Sequence, residues 1–392
     1  MKDSHSAELR FSLVFSGLFL GLGAHMAFGQ LWYEDWGLSA AEIGLLNAFA
    51  VAVRIVTGVT LPALSDWIGK PRRFLAALAL IGALAAFAHL WAETRLALYL
   101  LTLMLAGVFA GMIPLTDAHG YAAAERLGFS YRRARSVGSF AFLLATFGVG
   151  VAAERAGVDM VFVWIGAAFG LGAAAAWVAP MRGQKAKGAV WRGVGEMLRA
   201  PGFLRFLGCV ATVNASHAVF YVYGSIHWRS LGYSETLIGA LWAWGVLAEI
   251  GLFFVGRSLM ERLGARLGLM LAGAAGLLRW SAMSFDPGLV WVVALQTLHA
   301  LTFALMHLAA LEFIARAAPE TRRATAQGLM SAAGGGVAMV LAMSLAAWAY
   351  PQFGARAYLI GAGAGLLGLI LALGLPAQPQ SSRGGGSINA PS

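Results

Sequence analysis

Apolar residues in this chain neither alternate nor recur at helical spacing alone. They continue for about 20 residues at a time, enough for a helix to cross roughly 30 Å of hydrocarbon. Polar and turn-forming residues are confined to the breaks. Twelve helical spans are predicted, at 9–33, 40–64, 74–92, 96–122, 134–153, 160–180, 203–228, 235–256, 266–284, 289–314, 325–349 and 357–375. The breaks include Glu34-Asp35, Lys70-Pro71-Arg72-Arg73, Asp286-Pro287-Gly288 and Glu320-Thr321-Arg322-Arg323, sequences that stop helices or reach for water. The pattern predicts an all-α membrane protein.

Composition narrows the class further. Of the 392 residues, 59% are hydrophobic and 12% charged, about half the charged fraction of a soluble domain. There is too little polar surface for a soluble enzyme, a secreted disulfide scaffold or a disordered chain. Cys209 is the one cysteine, so neither an intrachain disulfide nor a thiolate metal site can form. The first apolar run is long and lacks a small-residue cleavage site, so it reads as an uncleaved helix.

A net charge of +10 raises the question of nucleic acid, but the basic residues sit in short clusters between spans and not on one polar face. Their distribution instead sets orientation. The N-terminus, the even-numbered connections and the C-tail hold 22 Lys and Arg. The other connections hold four: Arg95, Arg155, Arg229 and Arg356. By the positive-inside rule the first group, and both termini, are expected in the cytoplasm, as in a bacterial-type inner membrane.

A shift of 195 residues aligns Gly37–Gly69 with Gly232–Gly264 without a gap, with ten of 33 positions identical. Loop residues match as well as apolar ones: Gly37 with Gly232, Ser39 with Ser234, Gly69 with Gly264, Asp66 with Glu261. The predicted organisation is therefore two six-helix halves, 1–181 and 203–375, joined by a basic linker at 182–202 and followed by a disordered tail at 376–392. Parallel repeats of this kind characterise a large class of secondary transporters with a midplane site between the halves. The shift also aligns intramembrane charges, Arg54 with Glu249 and Asp117 with Glu312. Such groups are costly in a span, so they face a cavity or a partner.

Several segments carry a family resemblance. Asp66-Trp67-Ile68-Gly69-Lys70-Pro71-Arg72-Arg73 resembles the signature between helices 2 and 3 of the major facilitator superfamily, with Pro62 and Trp67 departing from it. Pro114–Ala118, Tyr131–Ser139, Ala215–Ala218 and Leu295–Leu308 resemble the phenylpropionate permease branch, which is in turn similar to the lactose permease group. The likeness implies the twelve-helix major facilitator fold and proton-coupled uptake. It aligns Arg279 and His299 with a proton-coupling arginine and histidine. Two family carboxylates are absent, at Val246 and Thr302, and Glu249 lies one turn from Val246.

Glu249 is about 20 Å along its helix from the outer end. Burial favours the neutral form of a carboxylic acid, so such a group can carry a proton, or it can serve in a fixed pair with an arginine. Arg279 keeps its proton and acts electrostatically. With His299 and His307 these form the expected proton-coupling set. Arg54 near the middle of helix 2, Asp117, His217, Tyr221 and Trp244 form the expected substrate-binding set. Arg54 could instead bridge to Asp117 or Glu249. Asp66, Gly69, Lys70, Arg72, Arg73 and Arg135 are expected to gate the conformational change. Gly334-Gly335-Gly336 lies within a span, so it suggests bending or close packing and not a phosphate loop.

The expected function is a symporter that takes up a small organic solute with a proton, with an aromatic carboxylate implied by the resemblance. A sugar or nucleoside symporter and a drug exporter are the alternatives. Neither metal nor other cofactor is expected, the energy source being the proton gradient. The expected partners are solute, protons and lipid, and the chain is expected to be a monomer without enzymatic activity.

Overall fold

A computed structural model describes residues 2–183, 194–319 and 322–376. Part of the predicted linker and the tail after Pro376 lie outside the described residues. Among those described, all regular structure is helical. The first six helices are α1 (Lys2–Asp35), α2 (Ala40–Ile68), α3 (Pro71–His89), α4 (Arg95–Leu127), α5 (Tyr131–Ala156) and α6 (Met160–Val178). After the short α7 (Val194–Arg199) come α8 (Phe203–Ala215), α9 (Ala218–Ser230) and the long α10 (Glu235–Met283). Then follow α11 (Leu289–Thr297), a π-helical turn (Ala300–Leu305), α12 (Met306–Ala317), α13 (Arg323–Gly334), α14 (Val337–Phe353), a 3₁₀ turn (Gly354–Ala357) and α15 (Tyr358–Leu373).

Ten helical segments are long and apolar enough to cross a membrane. Two further crossings arise where α10 turns at Gly264 and where the 3₁₀ turn separates α14 from α15. This makes the twelve that the hydrophobic pattern predicts. Three predicted spans are interrupted. The seventh breaks at Ser216-His217, the tenth contains the π turn, and the eleventh breaks at Gly335-Gly336. Glycine there bends the helix, one of the two effects expected of it.

The internal repeat is visible in the backbone itself. Ser39 caps α2 and Ser234 caps α10, each hydroxyl accepting from the amide three residues on. At Ser39 the cap is reciprocal, Glu42 accepting from the Ser39 amide at 2.8 Å. At the other end of each aligned stretch Gly69 and Gly264 both adopt φ +69°, a left-handed conformation that disfavours any side chain. Sequence positions 195 apart thus start their helices by the same cap and break them at a glycine of positive φ, with ψ 14° at Gly69 and 170° at Gly264.

The two halves meet mainly at one end of the bundle, the end opposite the basic connections. There α5 packs on α10 and α2 on α14. A Cβ at Gly239 would lie 2.4 Å from the Thr146 carbonyl oxygen, and one at Gly150 2.5 Å from that of Glu235. Only glycine allows so close an approach, as is usual where membrane helices cross. Across the same seam Tyr223 Oη donates to the Ala40 carbonyl at 2.7 Å and Ser225 Oγ to that of Ala27 at 2.5 Å. Arg229 binds both Glu34 and Asp35. One apolar core runs through α1–α6 into α9, α10, α14 and α15 at this end. At the basic end the second half closes around a core of its own, built from Phe203, Phe206, Leu269, Phe313 and their neighbours. The halves are therefore sealed at one end and separate at the other.

Arg229→Ala is expected to loosen the sealed end. Ion pairs with this much exposure contribute about 0.2–1 kcal/mol each. Losing both therefore shifts the open-to-closed ratio at this end by roughly fivefold. Spin labels placed on the 1–2 and 7–8 connections would show a larger long-distance population, and an unchanged distribution would deny Arg229 this role.

Candidate functional site

Between the halves lies a cavity of about 280 Å³, at the small end of ligand sites. From the first half α1 contributes Phe19, Leu22 and Met26, and α5 contributes Arg135, Ser139 and Phe142. From the second half come Tyr221, Trp242, Glu249, Gln296 and His299 among others. The wall is aromatic: Phe220 stacks on Trp242 with centroids 4.6 Å apart, and Tyr221 on His217 at 5.3 Å. Trp242 Nε1 donates to Ser225 Oγ at 2.9 Å, which satisfies the indole and fixes its face toward the cavity.

Behind this wall Arg279 is completely buried. Its Nη1 donates to His299 Nδ1 and Thr302 Oγ1, both at 3.2 Å, and its Nη2 to Gln296 Oε1 at 2.5 Å. Its guanidinium also lies 4.2 Å from the Trp280 ring centroid and 5.2 Å from that of Phe220. Among the described residues no carboxylate pairs with it. The hydrogen bonds fix the tautomers, because a nitrogen that accepts cannot also carry the proton. His299 accepts at Nδ1, so its proton resides on Nε2, which points at Glu249 Oε2 at 3.6 Å. His217 donates from Nδ1 to the carbonyls of Val213 and Asn214, and its Nε2 accepts from the Thr302 hydroxyl at 3.0 Å. The π turn carries Thr302 and begins one residue after His299. It re-aims this stretch of helix, as such turns do at functional positions.

The expected proton-coupling set is thus brought together except for one member. His307 lies about 12 Å farther along the helix, does not line the cavity and makes no hydrogen bond among the described residues. The expected substrate set divides. Tyr221 lines the cavity, whereas His217 is fully buried and braces the wall from behind. Trp244 is turned away: its ring is exposed on the outer face and its Nε1 donates to Thr297 at 2.9 Å. Two residues are 200° of helical rotation, so Trp242 holds the position that Trp244 was expected to fill.

Asp117 does not line the cavity. Tyr131 Oη donates to it at 2.8 Å and Arg135 Nε lies 3.5 Å away. Arg135, expected among the gating residues, lines the cavity with its guanidinium 4.2 Å from the Phe19 ring centroid. Asp117 thus lies against an arginine that faces the cavity. Asp66, Gly69, Lys70, Arg72 and Arg73 lie exposed at the basic end, where Arg72 covers the Trp177 ring at 5.9 Å. No ion pair among the described residues holds them, in keeping with the separation of the halves there. Glu312, the repeat partner of Asp117, pairs with Arg316 on its own helix at 2.5 Å.

Arg54 makes neither ion pair nor hydrogen bond among the described residues. It is solvent-accessible and within electrostatic reach of Tyr221 across the seam and of His25 on α1. Both acidic partners weighed from the sequence are otherwise engaged, Asp117 by Arg135 and Glu249 by His299. The expectations missed Gln296. Its signal was an amide in an apolar run, three residues before His299 and so on the same helical face. Among the described residues no three His, Cys, Asp or Glu side chains gather to hold a metal ion.

Residues 9–360 match the profile of the MFS_1 like family. Over 335 residues the chain is 30% identical to a probable 3-phenylpropionic acid transporter of Escherichia coli, covering 82% of this chain and 86% of that one. Over 334 residues it is 27% identical to a maltose permease of Geobacillus stearothermophilus, covering 83% and 84%. Among solved structures, the nucleoside transporter NupG superposes with a TM-score of 0.80 at 14% identity, covering 94% of this chain and 97% of that one. At that identity the likeness concerns the fold alone.

Proposed function

The chain belongs to the MFS_1 like family of multi-pass membrane transporters, and from that premise we propose that it takes up a small aromatic carboxylate together with a proton, by alternating access. The observation that carries this reading is Glu249. It is a carboxyl group on an aromatic cavity wall, 3.6 Å from His299 and, among the described residues, ion-paired to no Lys or Arg. A proton on Glu249 makes the cavity more positive and so more favourable to an anion. With the proton gone, the carboxylate attracts the Nε2–H of His299 that faces it at 3.6 Å, while Arg279 holds that tautomer in place. Occupancy by proton and by anion are thereby linked.

The aromatic wall suits a ring, with Tyr221 and Trp242 as stacking surfaces. Arg54 and Arg135 offer guanidinium groups to the carboxylate, which they can grip through two parallel hydrogen bonds. The similarity to a probable 3-phenylpropionic acid transporter supports this substrate class. By the positive-inside rule the basic end is cytoplasmic, as are both termini, in an inner-membrane setting. The conformation described is then inward-facing, closed outside by Arg229 with Glu34 and Asp35. Asp66, Lys70, Arg72 and Arg73 would come into play when the cytoplasmic end shuts.

The test is external pH in weakly buffered cells expressing the protein, with candidate solutes added one at a time. Phenylpropionate and related aromatic acids are expected to alkalinise the medium, and a protonophore to abolish the change. Disaccharides and nucleosides are expected to give none. Silence toward every aromatic acid, with the protein present in the membrane, would overturn the reading.

A further inference from the structure

Arg279 is unusual in what it lacks. A guanidinium at zero exposure normally has a carboxylate beside it, because an uncompensated buried charge is costly. Here the cage is neutral: the Gln296 amide, the Thr302 hydroxyl and the His299 imidazole, with two aromatic faces. Gln296 is held rigidly in this duty. Its Nε2 donates to the Leu241 carbonyl at 3.2 Å, which leaves Oε1 for Arg279 and settles the orientation of the amide. Gln296 and His299 both line the cavity, so the arginine lies one side chain behind its surface.

The charges around the cavity then do not balance. Arg54, Arg135 and Arg279 are three cations, and Asp117 and Glu249 are two carboxylates. Asp117 pairs with Arg135 and Glu249 lies against His299, so neither carboxylate contacts Arg279. That leaves Arg279 without a compensating carboxylate. A glutamate at 296 has nearly the shape of glutamine and would supply one directly, at the oxygen already 2.5 Å from Nη2. The amide is what keeps the surplus.

We propose that Gln296 is a specificity-determining residue: by capping Arg279 with a neutral oxygen it leaves a positive charge behind the cavity wall, and so selects anionic over uncharged substrates. The inference rests on the uptake reading above and adds to it the residue that sets charge preference. Thr302 acts with it as a positioning residue, passing the remaining Arg279 hydrogen bond on to His217.

The experiment measures the dissociation constants of 3-phenylpropionate and of its uncharged amide, 3-phenylpropanamide, for the purified full-length protein. Wild type is expected to prefer the carboxylate by about tenfold or more, the effect of one unscreened charge at this range. Gln296→Glu is expected to lower that preference by about tenfold, Arg54 and Arg135 keeping their share, while Gln296→Met, which removes the amide without adding charge, leaves it at the wild-type value. Arg279→Gln removes the same charge from the other side and is expected to behave like Gln296→Glu, so the proposal stays testable if one variant fails to fold. Wild type binding the two ligands equally would overturn the inference, as would a folded Gln296→Glu that keeps the wild-type ratio. Failure of folded wild type to bind either ligand would overturn the uptake reading itself, which separates the two.

Discussion

Glu249→Gln is expected to uncouple transport from the proton gradient. The substitution keeps shape and removes the titrating group, so the site stays in the equivalent of its protonated state. Accumulation of the aromatic acid against its gradient should be lost, the ratio falling by about tenfold for each pH unit of gradient that one coupled proton supplies. Binding should survive, because the cavity-lining rings of Tyr221 and Trp242 and the guanidinium of Arg135 are untouched, as is Arg54 outside the lining. The measurement is the steady-state ratio of internal to external substrate, alongside the dissociation constant. A variant that still accumulates substrate would remove Glu249 from the coupling machinery. Loss of binding and accumulation together would make it a substrate ligand instead.

Arg54→Gln is expected to show the opposite division. Arg54 has no protein partner among the described residues, so its loss should leave thermal stability near that of wild type. If it grips the substrate carboxylate, a charge-assisted contact of about 1.5–3 kcal/mol disappears. The dissociation constant then rises by about 10- to 150-fold. Arg54→Lys should recover part of the loss, since a point charge remains but the planar fork is gone. Unchanged affinity would exclude Arg54 from the site. A marked fall in melting temperature would reveal that it serves the fold.

The likeness of the halves also shows how local and distant effects divide. Ser39 and Ser234 start helices through bonds that span three residues, and Gly69 and Gly264 break them through their own positive φ. Signals of that range can be read directly from the chain. The break at Ser216-His217 and the π turn after His299 cannot, because each depends on packing against a different helix. His217 is held by Thr302, 85 residues away, and Trp280 donates to Ser216 at 3.0 Å. Trp244 illustrates the same limit. In an all-apolar span there is no polar face to say which side looks inward, so helical phase goes unmarked and the choice between Trp242 and Trp244 is left to tertiary contacts.

Twelve spans, two related halves, a basic side and a handful of intramembrane charges follow from sequence alone, because the bilayer makes every long apolar run and every buried charge conspicuous. Which charge meets which was decided only when the helices packed. Asp117 went to Arg135, Glu249 to His299, and Arg279 to a glutamine and a threonine. Arg54 was left facing the seam between the halves. Coulomb interactions fall off over a few ångströms of separation, and those distances are set by helix rotation and crossing, which a uniformly apolar sequence does not record.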